Sequence, residues 1–121
     1  MKATTKLLYV DDEVLNLYAF QISVSKHYEV HIAKNGNEGL EILAKNPDIP
    51  VIISDMNMPG MNGIEFINKA KELYPEKKFY ILTGYEITKE IKNALESGLI
   101  LEYFSKPFNV KHIESTIENA M

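Results

Sequence analysis

The sequence predicts an α/β fold: a doubly wound, five-stranded parallel sheet in the order 2-1-3-4-5, with five helices. Three observations carry that prediction. Short apolar runs alternate five times with longer segments of helical spacing along the 121 residues. Three of the runs are apolar on successive residues, as strands covered on both faces must be, whereas one alternates apolar with polar. No repeat, low-complexity stretch or long linker interrupts the pattern, so residues 1–121 read as one domain.

The elements follow in order. Leu7 to Val10 is a continuous apolar run ending in Asp11-Asp12, the first strand. Val14, Tyr18 and Ile22 then line one face of a helix. Tyr28 to Ala33 sets Tyr28, Val30 and Ile32 against Glu29 and His31, a half-buried strand assigned to the sheet edge. That assignment fits the strand order 2-1-3-4-5. Asn35-Gly36 breaks the chain, and Leu40, Leu43 and Ala44 restore helical spacing until Asn46-Pro47. Val51 to Ile53 is a buried strand running into Ser54-Asp55. The turn-rich Pro59 to Gly63 leads into a helix with Phe66, Ile67, Ala70 and Leu73 inward. Phe79 to Leu82 is a strand ending at Thr83-Gly84, and Ile87, Ile91, Ala94 and Leu95 form the next helical face. Ile100 to Phe104 reads as a strand interrupted by Glu102. Val110, Ile113, Ile117 and Ala120 complete a last helix capped by Asn109.

Composition narrows the chemistry. The chain has no cysteine, which excludes disulfides, thiolate metal sites and cysteine nucleophiles. All 13 basic residues are lysine, so the planar fork that grips phosphate and guanine bidentately is missing. The formal charge of -4 repels DNA and anionic membranes, and neither is expected as a partner. The opening Met1-Lys2-Ala3-Thr4-Thr5-Lys6 is polar, and the apolar run after it is too short for a signal core or a membrane span. A cytoplasmic protein with a short frayed start is the expectation.

In a doubly wound sheet the ligand site lies beyond the carboxyl ends of the strands, where the strand order reverses. Here those ends carry Asp11-Asp12, Asp55, Thr83 and Ser105-Lys106-Pro107. Taken singly, each has an ordinary structural role: an aspartate after a strand caps a helix or starts a turn, and Thr83 is a common strand-end residue. Tyr103, likewise, is an ordinary core aromatic. Jointly, three crowded carboxylates stay ionised at neutral pH only beside a compensating cation. Oxygen ligands with no imidazole or thiolate suit a hard divalent ion, Mg²⁺, with Mn²⁺ as the substitute. A pocket so neutralised, with a lysine and a hydroxyl, suits in-line attack of a carboxylate on a phosphoryl group.

Four segments in register then carry a resemblance: Leu-Leu-Tyr-Val-Asp-Asp-Glu (7–13), Ser-Asp-Met-Asn-Met-Pro-Gly-Met-Asn-Gly (54–63), Leu-Thr-Gly (82–84) and Tyr-Phe-Ser-Lys-Pro-Phe (103–108). From about Lys6 to its end the chain resembles the receiver domain of bacterial two-component response regulators, of the chemotaxis-regulator kind, with a flavodoxin-like fold. The resemblance implies that Asp55 accepts a phosphoryl group from a phosphohistidine. Asp12, Asp55 and the Asn57 backbone carbonyl would hold Mg²⁺, with Asp11 acting through water. Lys106 would pair with the phosphoryl oxygens across a cis Lys106-Pro107 bond. Thr83 would turn to the phosphoryl group and Tyr103 inward behind it, repacking the face of helix 4, strand 5 and helix 5. Such a domain catalyses only its own phosphorylation and dephosphorylation and is not otherwise an enzyme. The implied partners are a sensor histidine kinase or phosphotransfer protein upstream and a downstream protein, with the domain a monomer or a weak phosphorylation-dependent dimer.

Gly98 to Tyr103 runs about one residue longer than the common version and lacks its acidic pair before the aromatic, so the partner face and the start of strand 5 are expected to differ. Asn57 and Tyr85 would flank the path of an attacking water, and Tyr85 would shield the acyl phosphate. A haloacid-dehalogenase-like phosphatase would instead place its nucleophile on strand 1 and an acid at position 57. An FMN module would need a phosphate loop after strand 1, where Asp11-Asp12-Glu13 has the wrong sign. A receiver-like module that takes no phosphoryl group would lack one of the acids or the lysine.

Overall fold

A computed structural model describes residues 5–121; the polar opening Met1–Thr4 lies outside the described residues. The elements alternate: β1 (Thr5–Val10), α1 (Val14–Val24), β2 (Tyr28–Ala33), α2 (Gly36–Lys45), β3 (Val51–Asp55), α3 (Gly63–Leu73), β4 (Lys78–Thr83), α4 (Lys89–Glu96), β5 (Glu102–Ser105) and α5 (Val110–Ala120). The strands form one parallel sheet in the order β2-β1-β3-β4-β5, as expected.

Side-chain alternation along the strands builds two cores. Leu8, Val10, Ile52 and Ile81 join Leu43, Phe66, Ile67 and Ile91 on the face covered by α2, α3 and α4. Leu7, Tyr9, Ile53 and Leu82 join Leu17, Phe20, Ile113 and Ile117 under α1 and α5. Side-chain acceptors start four of the helices: Asn35, Asn62, Thr88 and Asn109 each cap the backbone N–H three residues on. At Asn62 the cap is reciprocal, because Glu65 reaches back to the Asn62 N–H at 3.0 Å. α1 begins at Glu13 with no such cap of its own.

The structure corrects several sequence expectations. On α1 the buried residues are Leu17, Phe20 and Val24, while Val14, Tyr18 and Ile22 face outward with Leu15. That helix is apolar around most of its circumference, so periodicity could not choose a face. The stack of Phe20 on Tyr9, ring centroids 4.2 Å apart, chooses it instead. Ala44 and Leu73 are exposed in the last turns of α2 and α3 rather than facing inward. Ile87 precedes α4 rather than lying on it. β5 starts at Glu102, so Ile100 is buried in the core ahead of the strand and Leu101 is exposed.

At the amino end of the sheet a buried lysine joins two loops. Lys77 is 7% exposed, and its Nζ donates to the carbonyls of Pro47, at 2.6 Å, and Ile49. Burial holds its pKa below the ordinary lysine range. Among the described residues no helix is long and apolar enough to cross a membrane.

Candidate functional site

Strand register brings the candidate residues to one rim. Val10 pairs with Ser54, Asp55 with Leu82, and Thr83 with Ser105, so β1, β3, β4 and β5 finish nearly flush. Asp11, Asp12 and Asp55 each offer a carboxylate oxygen within 4.8 Å of the others. The three differ in environment: Asp11 is fully buried, Asp55 is 6% exposed, and Asp12 lies open to solvent. A cleft of about 420 Å³ opens over them, lined by Asp12, Glu13, Asp55, Asn57, Gly84, Tyr85 and Lys106.

Lys106 reaches into this cluster from the end of β5. Its backbone N–H donates to the Thr83 carbonyl at 2.8 Å, continuing the β4–β5 pairing by one residue, and the Lys106-Pro107 bond is cis. Its Nζ lies 3.0 Å from Asp11 Oδ2 and 3.5 Å from Asp55 Oδ1. Burial alone works against the ammonium. The hydrogen bond to Asp11 and the charges of Asp55 and Asp11 outweigh it and hold the Lys106 pKa above the ordinary value. Asp55 moves the other way from an ordinary carboxylate: burial, with the charges of Asp11 and Asp12, overcomes Lys106 and pushes its pKa up to about 6.

Asp11 is held from three directions. Its Oδ1 accepts the Glu13 N–H at 2.9 Å, and its Oδ2 accepts both the Tyr9 hydroxyl, at 2.6 Å, and Lys106. The Glu13 contact ties the acidic turn to the start of α1, where Glu13 has no side-chain cap. Tyr9 was read from the sequence only as part of an apolar run. The available signal was its position two residues before Asp11, on the same side of the strand.

The loop after β3 is drawn tightly over Asp55. The Gly63 N–H donates to the Met56 carbonyl at 2.9 Å, and a Cβ at position 63 would lie 2.3 Å from the Asp55 carbonyl oxygen. Gly63 thus serves close approach of two backbones, a role the turn-rich reading of this segment left unspecified. Thr83 is 1% exposed, and its Oγ1 accepts the Tyr85 N–H at 3.2 Å, so the hydroxyl is engaged by its own loop. Tyr103 stands apart from the acids: it is half-buried on β5, packed against the α2–α4 core, and lines a separate groove with Ser105, Pro107 and His112. Tyr85 is exposed at the cleft mouth.

Carboxylate oxygens with no imidazole or thiolate among the cleft residues fit a hard divalent cation. The same pocket sets a buried carboxylate 3.5 Å from an ammonium, an arrangement that suits nucleophilic attack by the ionised carboxylate on a phosphoryl group.

Comparison with known proteins agrees with this geometry. The family model for the response regulator receiver domain matches residues 7–118. The chain is 32% identical over 120 residues to a chemotaxis protein CheY homolog of Campylobacter jejuni, covering 96% of this chain and 92% of that protein. It spans only 24% of a hydrogenase transcriptional regulatory protein of Cupriavidus necator, with 28% identity. Among solved structures, chemotaxis protein CheY4 of Vibrio cholerae superposes with a TM-score of 0.88 at 30% identity, covering 98% of this chain and 100% of that one. The response regulator TrrA of Thermotoga maritima, solved in complex with Mg(2+)-BeF, gives 0.81 at 25% identity, covering 98% and 100%. The matched region runs from the first fully buried residue of β1 into the last turn of α5, taking in every strand end described above, and the chain belongs to the response regulator receiver domain family.

Proposed function

We propose that Asp55 is the phosphoacceptor of this receiver domain. One Asp55 carboxylate oxygen attacks phosphorus in line, an O–P bond forms as the N–P bond of a donor phosphohistidine breaks, and the leaving imidazole keeps the bonding electron pair and takes up a proton. The observation that carries this is the setting of Asp55: a buried carboxylate at the end of β3, 3.5 Å from the Lys106 ammonium and inside an acidic cluster. Lys106 balances the charge on the transferred group. Asp12, Asp55 and the Asn57 carbonyl are the groups to hold Mg²⁺, while the donors already on Asp11 favour its acting through water. When bound, Mg²⁺ would neutralise charge on the transferring oxygens.

Thr83 and Tyr103 form the switch in this reading. Thr83 Oγ1 accepts the Tyr85 N–H with a lone pair, which leaves its own O–H to donate to a phosphoryl oxygen, and Tyr103 would turn inward behind it. The altered face of α4, β5 and α5 would then be read by a downstream protein. The upstream donor is a histidine kinase or phosphotransfer protein. It has apolar ground beside the site, because α1 exposes Leu15 and Ile22 next to a cleft that runs from Asn16 to Lys106 and Phe108.

The test is incubation with a small-molecule phosphodonor and Mg²⁺, followed by intact mass measurement. Wild type gains one phosphoryl group and Asp55→Asn gains none. Steady release of phosphate from esters would point instead to a phosphatase, and no adduct together with no Mg²⁺ binding would point to a module that takes no phosphoryl group.

A further inference from the structure

β1 places Leu7 and Tyr9 on the α1/α5 side of the sheet, and Tyr9 is among the largest fully buried side chains. Its ring is accounted for by stacking on Phe20, at 4.2 Å and 22° between planes. Its hydroxyl donates to one group, Asp11 Oδ2, at 2.6 Å. Satisfying a tyrosine in this layer does not require an acid. Tyr28 and Tyr80 belong to the same core and bury hydroxyls with no hydrogen-bond partner.

The arrangement is informative because Asp11 Oδ2 is shared. The Tyr9 hydroxyl and the Lys106 ammonium both donate to it, at 2.6 and 3.0 Å, and Asp11 is fully buried. If Lys106 follows an incoming phosphoryl group toward Asp55, it draws away from Asp11 Oδ2. With no other donor on Oδ2, that departure would leave this buried oxygen short of a hydrogen bond, which is costly. With Tyr9 in place, Oδ2 keeps a short charge-assisted hydrogen bond throughout.

We propose that Tyr9 is a positioning residue: its hydroxyl holds Asp11 so that Lys106 can move to the phosphoryl group. This rests on the phosphoacceptor reading of Asp55. The role is specific to the hydroxyl, because phenylalanine at this position keeps the stack on Phe20 and removes only the donor.

The experiment compares wild type, Tyr9→Phe, Lys106→Ala and the double variant. Mg²⁺ affinity is read by titration of backbone amide signals, and the rate of adduct formation with a small-molecule phosphodonor at saturating Mg²⁺. Loss of a hydrogen bond to a charged group predicts a Tyr9→Phe rate lower by about tenfold. Its Mg²⁺ affinity is unchanged or tighter, because the freed carboxylate oxygen is more negative. In the Lys106→Ala background, Tyr9→Phe slows the reaction no further, since the two act through one oxygen. A Tyr9→Phe protein reacting at the wild-type rate, a weakened Mg²⁺ affinity indicating a loosened pocket, or full multiplication of the two effects in the double variant would each overturn the role. A wild type that takes up no phosphoryl group sinks the Asp55 reading and this role with it. A reactive wild type with an equally reactive Tyr9→Phe sinks only the role of Tyr9.

Discussion

Asp55→Asn should stabilise the metal-free protein while abolishing the proposed phosphoryl uptake. In the fold Asp55 is 6% exposed, and burial with the charges of Asp11 and Asp12 raises its pKa from the ordinary 3.8 to about 6. Folded-state pKa above unfolded means that the native state binds more protons between these values, so stability falls as pH rises through that window. The penalty is absent below pH 3.8 and complete above about pH 6. At 1.36 kcal/mol per unit it would reach about 3 kcal/mol for a fully desolvated group. The cleft above Asp55 is open, so solvent screening reduces the expected gain of Asp55→Asn to about 1–2 kcal/mol. For a chain of this size that is a rise in Tm of about 4–8 °C. Urea unfolding in chelator at neutral pH, repeated near pH 4.5, measures it, with the gain shrinking to well under half at the lower pH. Adding Mg²⁺ narrows the gap at neutral pH, because the ion binds the native wild type better than the variant. A variant no more stable than wild type at neutral pH, or a gain equal at both pH values, refutes the charge-crowding argument.

Three further outcomes follow from particular contacts. Gly63→Ala drives a Cβ to 2.3 Å from the Asp55 carbonyl oxygen and 2.9 Å from Ile81 Cδ1, so it should destabilise by about 2–3 kcal/mol in urea unfolding and reduce phosphoryl uptake. Tyr85→Ala opens the cleft mouth and should speed loss of the phosphoryl group severalfold; an unchanged dephosphorylation rate ends the shielding idea. Leu15→Lys with Ile22→Lys should slow transfer from a phosphohistidine-bearing protein by an order of magnitude or more. The rate with a small-molecule donor should stay unchanged, and equal slowing of both would remove α1 from docking.

The sequence made the sheet legible because its central strands must be apolar on both faces and the edge strand β2 need not be. The strand-end rule then led to Asp11, Asp12, Asp55, Thr83 and Lys106, and the structure gathers carboxylate oxygens of the three acids within 4.8 Å of one another, with Lys106 reaching Asp11 and Asp55. Periodicity failed where it carried no contrast: α1 offers apolar residues in nearly every direction, and tertiary packing, the stacking of Phe20 on Tyr9 and its contact with Phe108 included, buries Leu17, Phe20 and Val24. The unequal burial of Asp11 and Asp12 was also invisible, because the turn into Glu13 fixes it through a backbone hydrogen bond. Tyr9 and Lys77 share a deeper reason. Each looks like its neighbours in the sequence, and its meaning lies in which polar atom the folded chain brings to its tip.

Lys77 also bears on how the two central strands are held together. By bonding the carbonyls of Pro47 and Ile49, it fastens the loop before β3 to the start of β4, at the end of the sheet away from the acids. The strands that carry Asp55 and Thr83 are therefore tied to each other by a side chain as well as by their ladder, at the end remote from both residues. The four-residue edge strand β5, paired in the sheet with β4, lies outside this clasp. The clasp thus fixes the spacing of β3 and β4 from the far end of the sheet without touching the candidate site.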